Sequence, residues 1–161
     1  MPQQKSARRD ALMAELHSEA RRYMAAYALF NQAVADHLHL HPTDVQCLNL
    51  LSLEPEPVTI GRVAELTGLT TGSATRLVDR LERAGYVRRE RDAEDRRRVM
   101  VAAVPERMAE LGVFWRRLNS TWGNLYDDYG DAELTLLTTH MRRTVELSAT
   151  QIERLRSGEF D

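Results

Sequence analysis

The chain has 161 residues, of which 43% are hydrophobic and 29% charged, and its formal net charge is −2 at pH 7. This length allows one domain with a substantial core, no run approaches the ~20 apolar residues of a membrane span, and the start Met1–Lys5 lacks the apolar stretch of a signal peptide. A single cysteine, Cys47, excludes an intrachain disulfide and a cysteine-based zinc cluster, so we expect a protein of the reducing cytoplasm.

The first pattern along the chain is a long amphipathic helix. Between residues 8 and 40, apolar side chains recur at steps of three and four, namely Leu12, Leu16, Ala20, Tyr23, Tyr27, Phe30, Val34 and Leu38. Pro42 and the capping pair Thr43 and Gln46 then predict the start of a second helix. Its inward face is predicted to carry Val45, Leu48 and Leu51.

Residues 60–104 follow the order short helix, turn, second helix and two strands. In the turn, Gly68 can take a positive φ and Thr70 can cap the next helix. One face of that helix is apolar at three- and four-residue steps, through Ala74, Leu77, Val78 and Leu81. The opposite face has small hydroxyl groups followed by long cations, the chemistry of a helix that enters a DNA major groove: Thr71, Ser73, Thr75, Arg76 and Arg80.

Positive charge is concentrated in this region. Two β-branched-rich strands, residues 86–91 and 97–104, are predicted on either side of a polar turn. Residues 76–98 hold nine arginines and six acidic residues, a local charge of +3. Arginine can engage guanine edges, phosphates or a narrow minor groove, which favours DNA binding. The alternative for Arg76 and Arg80 is a solvated helix face paired with Asp79 and Glu82. The alternative for the wing arginines is ordinary surface charge interleaved with acids, namely Glu90, Asp92, Glu94 and Asp95.

The C-terminal part has two further apolar stripes. Pro105 fits the first turn of a helix whose stripe runs through Met108, Leu111, Trp115, Leu118, Trp122, Leu125 and Tyr129. Asp131 is predicted to cap a last helix, with a stripe at Leu134, Leu137, Met141, Val145, Ser148, Ile152 and Leu155. A small core cannot cover three long stripes, so we expect a homodimer in which these helices interleave with those of the partner.

The run from Gly72 to Arg89, together with Asp95-Arg96-Arg97-Arg98-Val99, resembles the recognition helix and wing of MarR-type transcriptional regulators. Its most specific part is the pattern Asp-x-Arg, matched by Asp95 and Arg97. The resemblance implies a mainly α fold with a small β-wing. A winged helix-turn-helix core at residues 43–104 would be flanked by dimerisation helices at 8–40 and 106–157. One departure is Ala103-Val104-Pro105, where the family usually has a Leu-Thr-Pro-type step.

For the wing, we expect Asp95 to orient an arginine through a charge-assisted hydrogen bond while Arg97 or its neighbour Arg96 enters the minor groove. The resemblance selects Arg97. It also implies a homodimer that binds a palindromic double-stranded operator. In MarR-like proteins, small aromatic or phenolic effectors often bind between the dimer helices and the winged core. Candidate lining residues are therefore Tyr27, Phe30 and Trp115, although core packing is the competing interpretation of the tryptophan.

Other signals are weaker. His37, His39 and His41 alternate along the chain, but no cysteine or paired carboxylate completes a metal site, and solvated or capping histidines are favoured. Cys47 lies among apolar residues, which favours a structural thiol over an oxidant sensor. There is no catalytic triad pattern and no phosphate-binding glycine loop, so we expect neither an enzyme nor a cofactor. The favoured function is a ligand-relieved repressor. The alternative is a winged-helix module for protein interaction or metal response.

Overall fold

Helices make up most of the chain. The computed structural model describes residues 2–92, 95 and 97–160, and of residues 2–6 and 121 only the backbone. The helices are α1 (Pro2–Leu38), α2 (Pro42–Leu51), α3 (Ile60–Thr67), α4 (Thr71–Arg83), α5 (Pro105–Leu118), α6 (Ser120–Gly123) and α7 (Asp131–Arg156). The strands are β1 (Val58–Thr59), β2 (Val87–Arg91) and β3 (Val99–Ala103). The expected mainly α fold with a small β-wing is confirmed.

The chain divides into two units, one up to Glu110 and one from Leu111, so that the division falls within α5. In the first unit, α4 packs against α2, α3 and β2, and α1 contacts α2. The core of this unit consists of Val34, Ala35, Val45, Cys47, Leu48, Leu51, Val58, Val63, Ala64, Ala74, Leu77, Val78, Leu81, Tyr86, Val87, Val101 and Ala102. The predicted inward faces of α2 and α4 are therefore buried as expected.

The turn between α3 and α4 has the geometry that its sequence predicts. Gly68 ends α3 with φ 70°, a left-handed conformation that favours glycine. Thr70 then caps α4, its hydroxyl oxygen accepting from the backbone N–H of Ser73 at 3.3 Å. Gly85, with φ 79°, reverses the chain after α4 and leads it into β2. Glycines and a threonine cap at its two ends thus fix where α4 begins and ends.

The sheet has the order β1-β3-β2, with both neighbours antiparallel to β3. The wing is the β2–β3 hairpin, paired from Val87 with Ala103 to Arg91 with Val99. Both strands are shorter than predicted. The strand β1 was not predicted, because two residues are too few to show an alternating pattern.

Two predicted helix caps are wrong. The N-cap of α2 is His41, whose Nδ1 accepts from the backbone N–H of Thr43 at 3.2 Å, and not the Thr43 and Gln46 pair. The N-cap of α7 is Gly130, whose backbone N–H donates to the Glu133 carboxylate at 2.8 Å; Asp131 is the first helical residue. In each case the N-terminal boundary of the helix depends on which side chain bonds the free backbone groups there. Several neighbouring polar residues can make such a bond, so the sequence does not select one of them.

The unit from Leu111 differs from its prediction. The apolar stripe of α5 does not continue in one helix to Tyr129, because α5 ends at Leu118 and is followed by α6 and a 3₁₀ turn at Asn124–Tyr126. Asn119, Ser120, Gly123 and Asn124 have low helix propensity, which explains the break. On α7 the stripe is continuous and its large apolar residues are largely exposed, among them Met141, Val145, Ile152 and Leu155. Among the described residues, no helix is long and apolar enough to cross a membrane.

Candidate nucleic-acid interface

The predicted groove-entering face of α4 lies outside the core. Its first turn carries short hydroxyl side chains that bond locally: the Thr75 hydroxyl donates to the carbonyl oxygen of Thr71 at 2.9 Å, and Ser73 contacts Thr70. Arg76 is exposed and donates from Nη2 to the Ser73 hydroxyl at 3.1 Å. Because this contact is with a neutral hydroxyl at the surface, the charge of Arg76 remains available to an external anion or base edge.

Arg80 has a structural contact that the sequence did not indicate. Its Nε and Nη2 donate to the two carboxylate oxygens of Asp44 at 2.9 and 2.5 Å. The Asp44 side chain is 2% exposed, whereas that of Arg80 is 40% exposed. The hydrogen bonds to Asp44 raise the pKa of Arg80 above its ordinary value, although burial acts in the opposite direction. The pair therefore ties α4 to α2, and the outer edge of the guanidinium faces solvent.

A second ion-pair cluster ties α4 to the wing. Arg89 of β2 donates from Nη2 to the Asp79 carboxylate at 2.6 Å and from Nη1 to the Glu82 carboxylate. Its backbone N–H also donates to Glu82 at 3.0 Å, which satisfies a group on the outer edge of β2. Asp79 and Glu82, the alternative partners of Arg76 and Arg80, are thus bonded to Arg89. The spacing within α4 would allow these acids to pair with arginines of the same helix. The packing of β2 against α4 brings Arg89 to them instead.

In the wing, Asp95 acts on the backbone. Its carboxylate accepts from the backbone N–H of Arg97 at 3.0 Å, and its carbonyl oxygen accepts from Arg98 at 2.9 Å. Asp95 therefore shapes the turn that presents Arg97, and no contact between its carboxylate and an arginine side chain is seen among the described residues. Arg97 is exposed. Arg96, the other predicted minor-groove residue, lies outside the described residues.

The nine arginines of residues 76–98 are not equivalent. Four have carboxylate partners: Arg80, Arg88, Arg89 and Arg98. Within the described part of the chain, four others have none, namely Arg76, Arg83, Arg91 and Arg97. Sequence reasoning missed Arg83, whose Nε donates to the backbone oxygen of Asp79 at 3.1 Å, and Arg91 at the end of β2. Charges without a partner can neutralise phosphates with little loss of existing bonds, so these four define the cationic surface.

The candidate ligand residues lie in different units. Tyr27 and Phe30 are one turn apart on α1; Tyr27 is half exposed and Phe30 is partly buried. Trp115 lies in α5, partly buried, with its ring 5.5 Å from that of Phe114 in an edge-on arrangement. Their predicted role in binding a ligand stays a prediction.

The histidines and the cysteine have metal binding and oxidant sensing as alternative roles, and the structure gives the surroundings of each. His41 caps α2, His39 has a positive φ of 54°, and His37 is in the last turn of α1. No three His, Cys, Asp or Glu side chains of the described residues are grouped as metal ligands. Cys47 is fully buried, and burial, assisted by the charge of Asp44, raises the pKa of its thiol to about 12. At neutral pH the thiol is therefore protonated, which disfavours the oxidant chemistry of a thiolate.

A helix-turn-helix with a polar, cationic outer face, followed by a hairpin in which Arg91 and Arg97 have no carboxylate partner among the described residues, defines a winged helix-turn-helix DNA-binding protein. The model of the MarR family matches residues 40–98. YcgE of Bacillus subtilis (strain 168), an uncharacterised HTH-type transcriptional regulator, is 39% identical over 128 residues, which are 80% of this chain and 82% of that protein. The chain belongs to the MarR family of transcriptional regulators, as the sequence predicted, and is not an enzyme.

Solved structures agree on the fold. A MarR family protein from Bacillus stearothermophilus aligns with a TM-score of 0.63 at 24% identity, over 87% of this chain and 97% of its own. The transcriptional regulator BldR from Sulfolobus solfataricus aligns with a TM-score of 0.58 at 26% identity, over 84% of this chain and 96% of its own. These structures share the mainly α fold with a small β-wing.

We predict that Arg80 and Arg76, two arginines one turn apart on α4, contribute differently to stability. Arg80→Ala leaves the buried Asp44 carboxylate without its partner, which should lower the free energy of unfolding by about 2 to 3 kcal/mol, below the full cost of a buried pair because Arg80 is partly exposed. Arg76→Ala, the matched control, should change it by less than ~0.5 kcal/mol. Urea denaturation measures both. Equal losses in the two variants would contradict the anchoring role of Asp44.

Proposed function

We propose that the protein is a homodimeric repressor that binds a palindromic operator, with α4 of each copy in a major groove and each wing at the adjacent minor groove. The observation that carries this proposal is the separation of the arginines into two groups. Those that tie α4 to α2 and β2 are neutralised by carboxylates, whereas Arg76 on α4 and Arg97 on the wing have no carboxylate partner among the described residues. The protein would act in the cytoplasm, where its operator DNA is accessible.

Each side chain then has a distinct role. Arg76 reads a base edge, and the hydroxyls of the first turn bond to bases or phosphates, namely those of Thr71, Ser73 and Thr75. Arg97 enters the minor groove, and Asp95 holds the turn that presents it. Arg80 anchors α4 through Asp44 and offers its remaining N–H groups to a phosphate. Base contacts by Arg76 would supply specificity, whereas the other arginines would mainly supply affinity.

Selection of bound duplexes from random DNA tests this assignment. We expect enrichment of a palindrome with half-site centres about one helical turn, ~10 bp, apart, and affinity that falls steeply as salt rises. Arg76→Ala should relax the preference at one base position, at a cost of about 1 to 3 kcal/mol. Arg97→Ala should weaken binding to the selected palindrome without changing the melting temperature.

The control for both variants is Arg8→Ala, which removes an exposed arginine from α1 and should leave operator binding unchanged. If the wild-type protein enriches nothing above random DNA at low salt, the proposed function is wrong. If Arg76→Ala weakens binding to all sequences equally, Arg76 contacts phosphate instead of a base.

The apolar surface of the long helices supports the dimer. On α7, Met141, Val145 and Leu155 share one helical face and are each at least 50% exposed, and on α1 Leu12 and Leu16 are more than half exposed. Monomeric proteins rarely leave contiguous apolar patches of this kind in water. A second copy would cover them, because an interface with two-fold symmetry pairs the same surface of each protomer.

Sedimentation at micromolar concentration should therefore show a dimer. Ile152→Glu places a charge on the apolar face of α7 and should give monomer or unfolded chain, since an unpaired charge in an apolar contact is costly. Thr150→Glu is the matched control, because residue 150 lies on the opposite side of the same helix. A monomeric wild type, or the same dissociation with both variants, would refute this assembly.

We further propose that a small aromatic acid relieves operator binding and that Trp115 of α5 is one of the residues it contacts. A ligand there would change the separation of the two α4 helices, and a small change breaks the match to half-sites one turn apart. Salicylate, as the probe, should lower operator affinity and quench tryptophan fluorescence over the same concentration range. The quenching should disappear in Trp115→Phe and persist in Trp122→Phe. Quenching without a loss of operator affinity would reject the regulatory coupling.

A further inference from the structure

The fold does not require a glycine at position 72. It is the second residue of α4 and is exposed. Its φ is not positive, unlike those of Gly68 and Gly85, so its backbone conformation is open to any residue. A Cβ placed on Gly72 would meet no heavy atom within 4 Å. Glycine is less favourable than alanine in a helix because it loses more backbone freedom on folding.

The other glycines within helices help to interpret this one. A Cβ on Gly112 would come within 3.4 Å of the Arg116 guanidinium, and one on Gly61 would lie 3.6 Å from the Thr59 hydroxyl. Gly123, at the end of α6, also has open space around a Cβ. Gly72 differs from Gly123 in its position, because it lies on the helix that the family uses to read DNA. The open space at Gly72 is therefore space at the DNA-facing surface.

The position of Gly72 on α4 is central to that surface. At helical periodicity it aligns with Arg76 and Asp79, on the side opposite the buried Leu77 and Leu81. The residues around it are short: Thr70, Thr71, Ser73, Ala74 and Thr75. A side chain at position 72 would thus be the outermost group of the first turn. Without one, the backbone of this turn is exposed and can come into direct contact with another surface.

We propose that Gly72 is the point of closest approach between α4 and DNA, where the helix backbone touches the major groove and no side chain fits. This inference rests on the proposed function, because it takes α4 to lie in a groove. The absent side chain sets how deeply the first turn enters. That depth brings Ser73 and Arg76 within reach of base edges, so Gly72 determines affinity without making a polar contact of its own.

The test compares stability with operator affinity in Gly72→Ala and Gly72→Leu. Both substitutions should raise the melting temperature by about 2 to 4 °C, because both residues have a higher helix propensity than glycine. Both should weaken binding to the selected operator, Gly72→Ala about tenfold and Gly72→Leu more, because the added atoms meet the DNA. The salt dependence of binding should not change, since no charge is removed. Gly123→Ala, the matched control, should raise stability and leave affinity unchanged.

The two failures are distinguishable. If the wild-type protein binds no duplex at low salt, the proposed function is wrong, and this inference with it. If the wild type binds an operator and Gly72→Ala binds it equally well, only the role of Gly72 is overturned. A fall in melting temperature for Gly72→Ala would also overturn it, because the glycine would then serve the fold.

Discussion

The packing of one face of α4 is the constraint on which the rest of the first unit depends. Ala74, Leu77, Val78 and Leu81 are completely buried, and helices α2 and α3 and strand β2 pack around them. Removing these side chains from water is the main favourable contribution to holding α4 in place. Because the helix is rigid, burying this face fixes which residues project outward. The core therefore determines which way the polar face of α4 points.

The ion pairs on either side of α4 refine that position. Asp44 of α2 holds Arg80, and Arg89 of β2 holds Asp79 and Glu82, so both flanks of the helix are bonded to neighbouring elements. The bidentate Arg80–Asp44 contact and the two contacts of Arg89 are directional, so they resist rotation of α4 about its axis. They also neutralise some cations of a strongly basic segment. Among the described residues, Arg76 of α4 and Arg97 of the wing keep charges without a carboxylate partner, and these are the charges that the proposed function assigns to DNA.

The two units differ in how many apolar residues they bury. The first has a core of its own, whereas in the described residues from Leu111 onward only Leu111 is buried. A unit without a core is stable only when another surface covers its apolar residues. In the proposed dimer the long helices would supply this cover, and the same helices would set the separation of the two DNA-reading helices. Assembly and regulation would then depend on one set of contacts.

Local patterns in the sequence determined the elements and the class of protein. The periodicity of α4, the turn at Gly68, the cap at Thr70 and the arginine-rich hairpin all depend on residues close in the chain, and each is present in the structure. The continuous apolar stripe predicted that α5 extends beyond Leu118. That prediction was wrong because the residues from Asn119 onward have low helix propensity and end the helix.

Only the tertiary structure decided which arginines are paired with carboxylates. Arg80 and Asp44 are 36 positions apart, and no local pattern links them. The sequence contained one signal, an acid on the apolar face of α2, since a charge in that position needs a partner. It could not identify the partner, because that depends on how α2 and α4 cross. For the same reason the sequence selected both Arg76 and Arg80 for DNA, and only packing showed that Arg80 is held by a carboxylate whereas Arg76 has no carboxylate partner among the described residues.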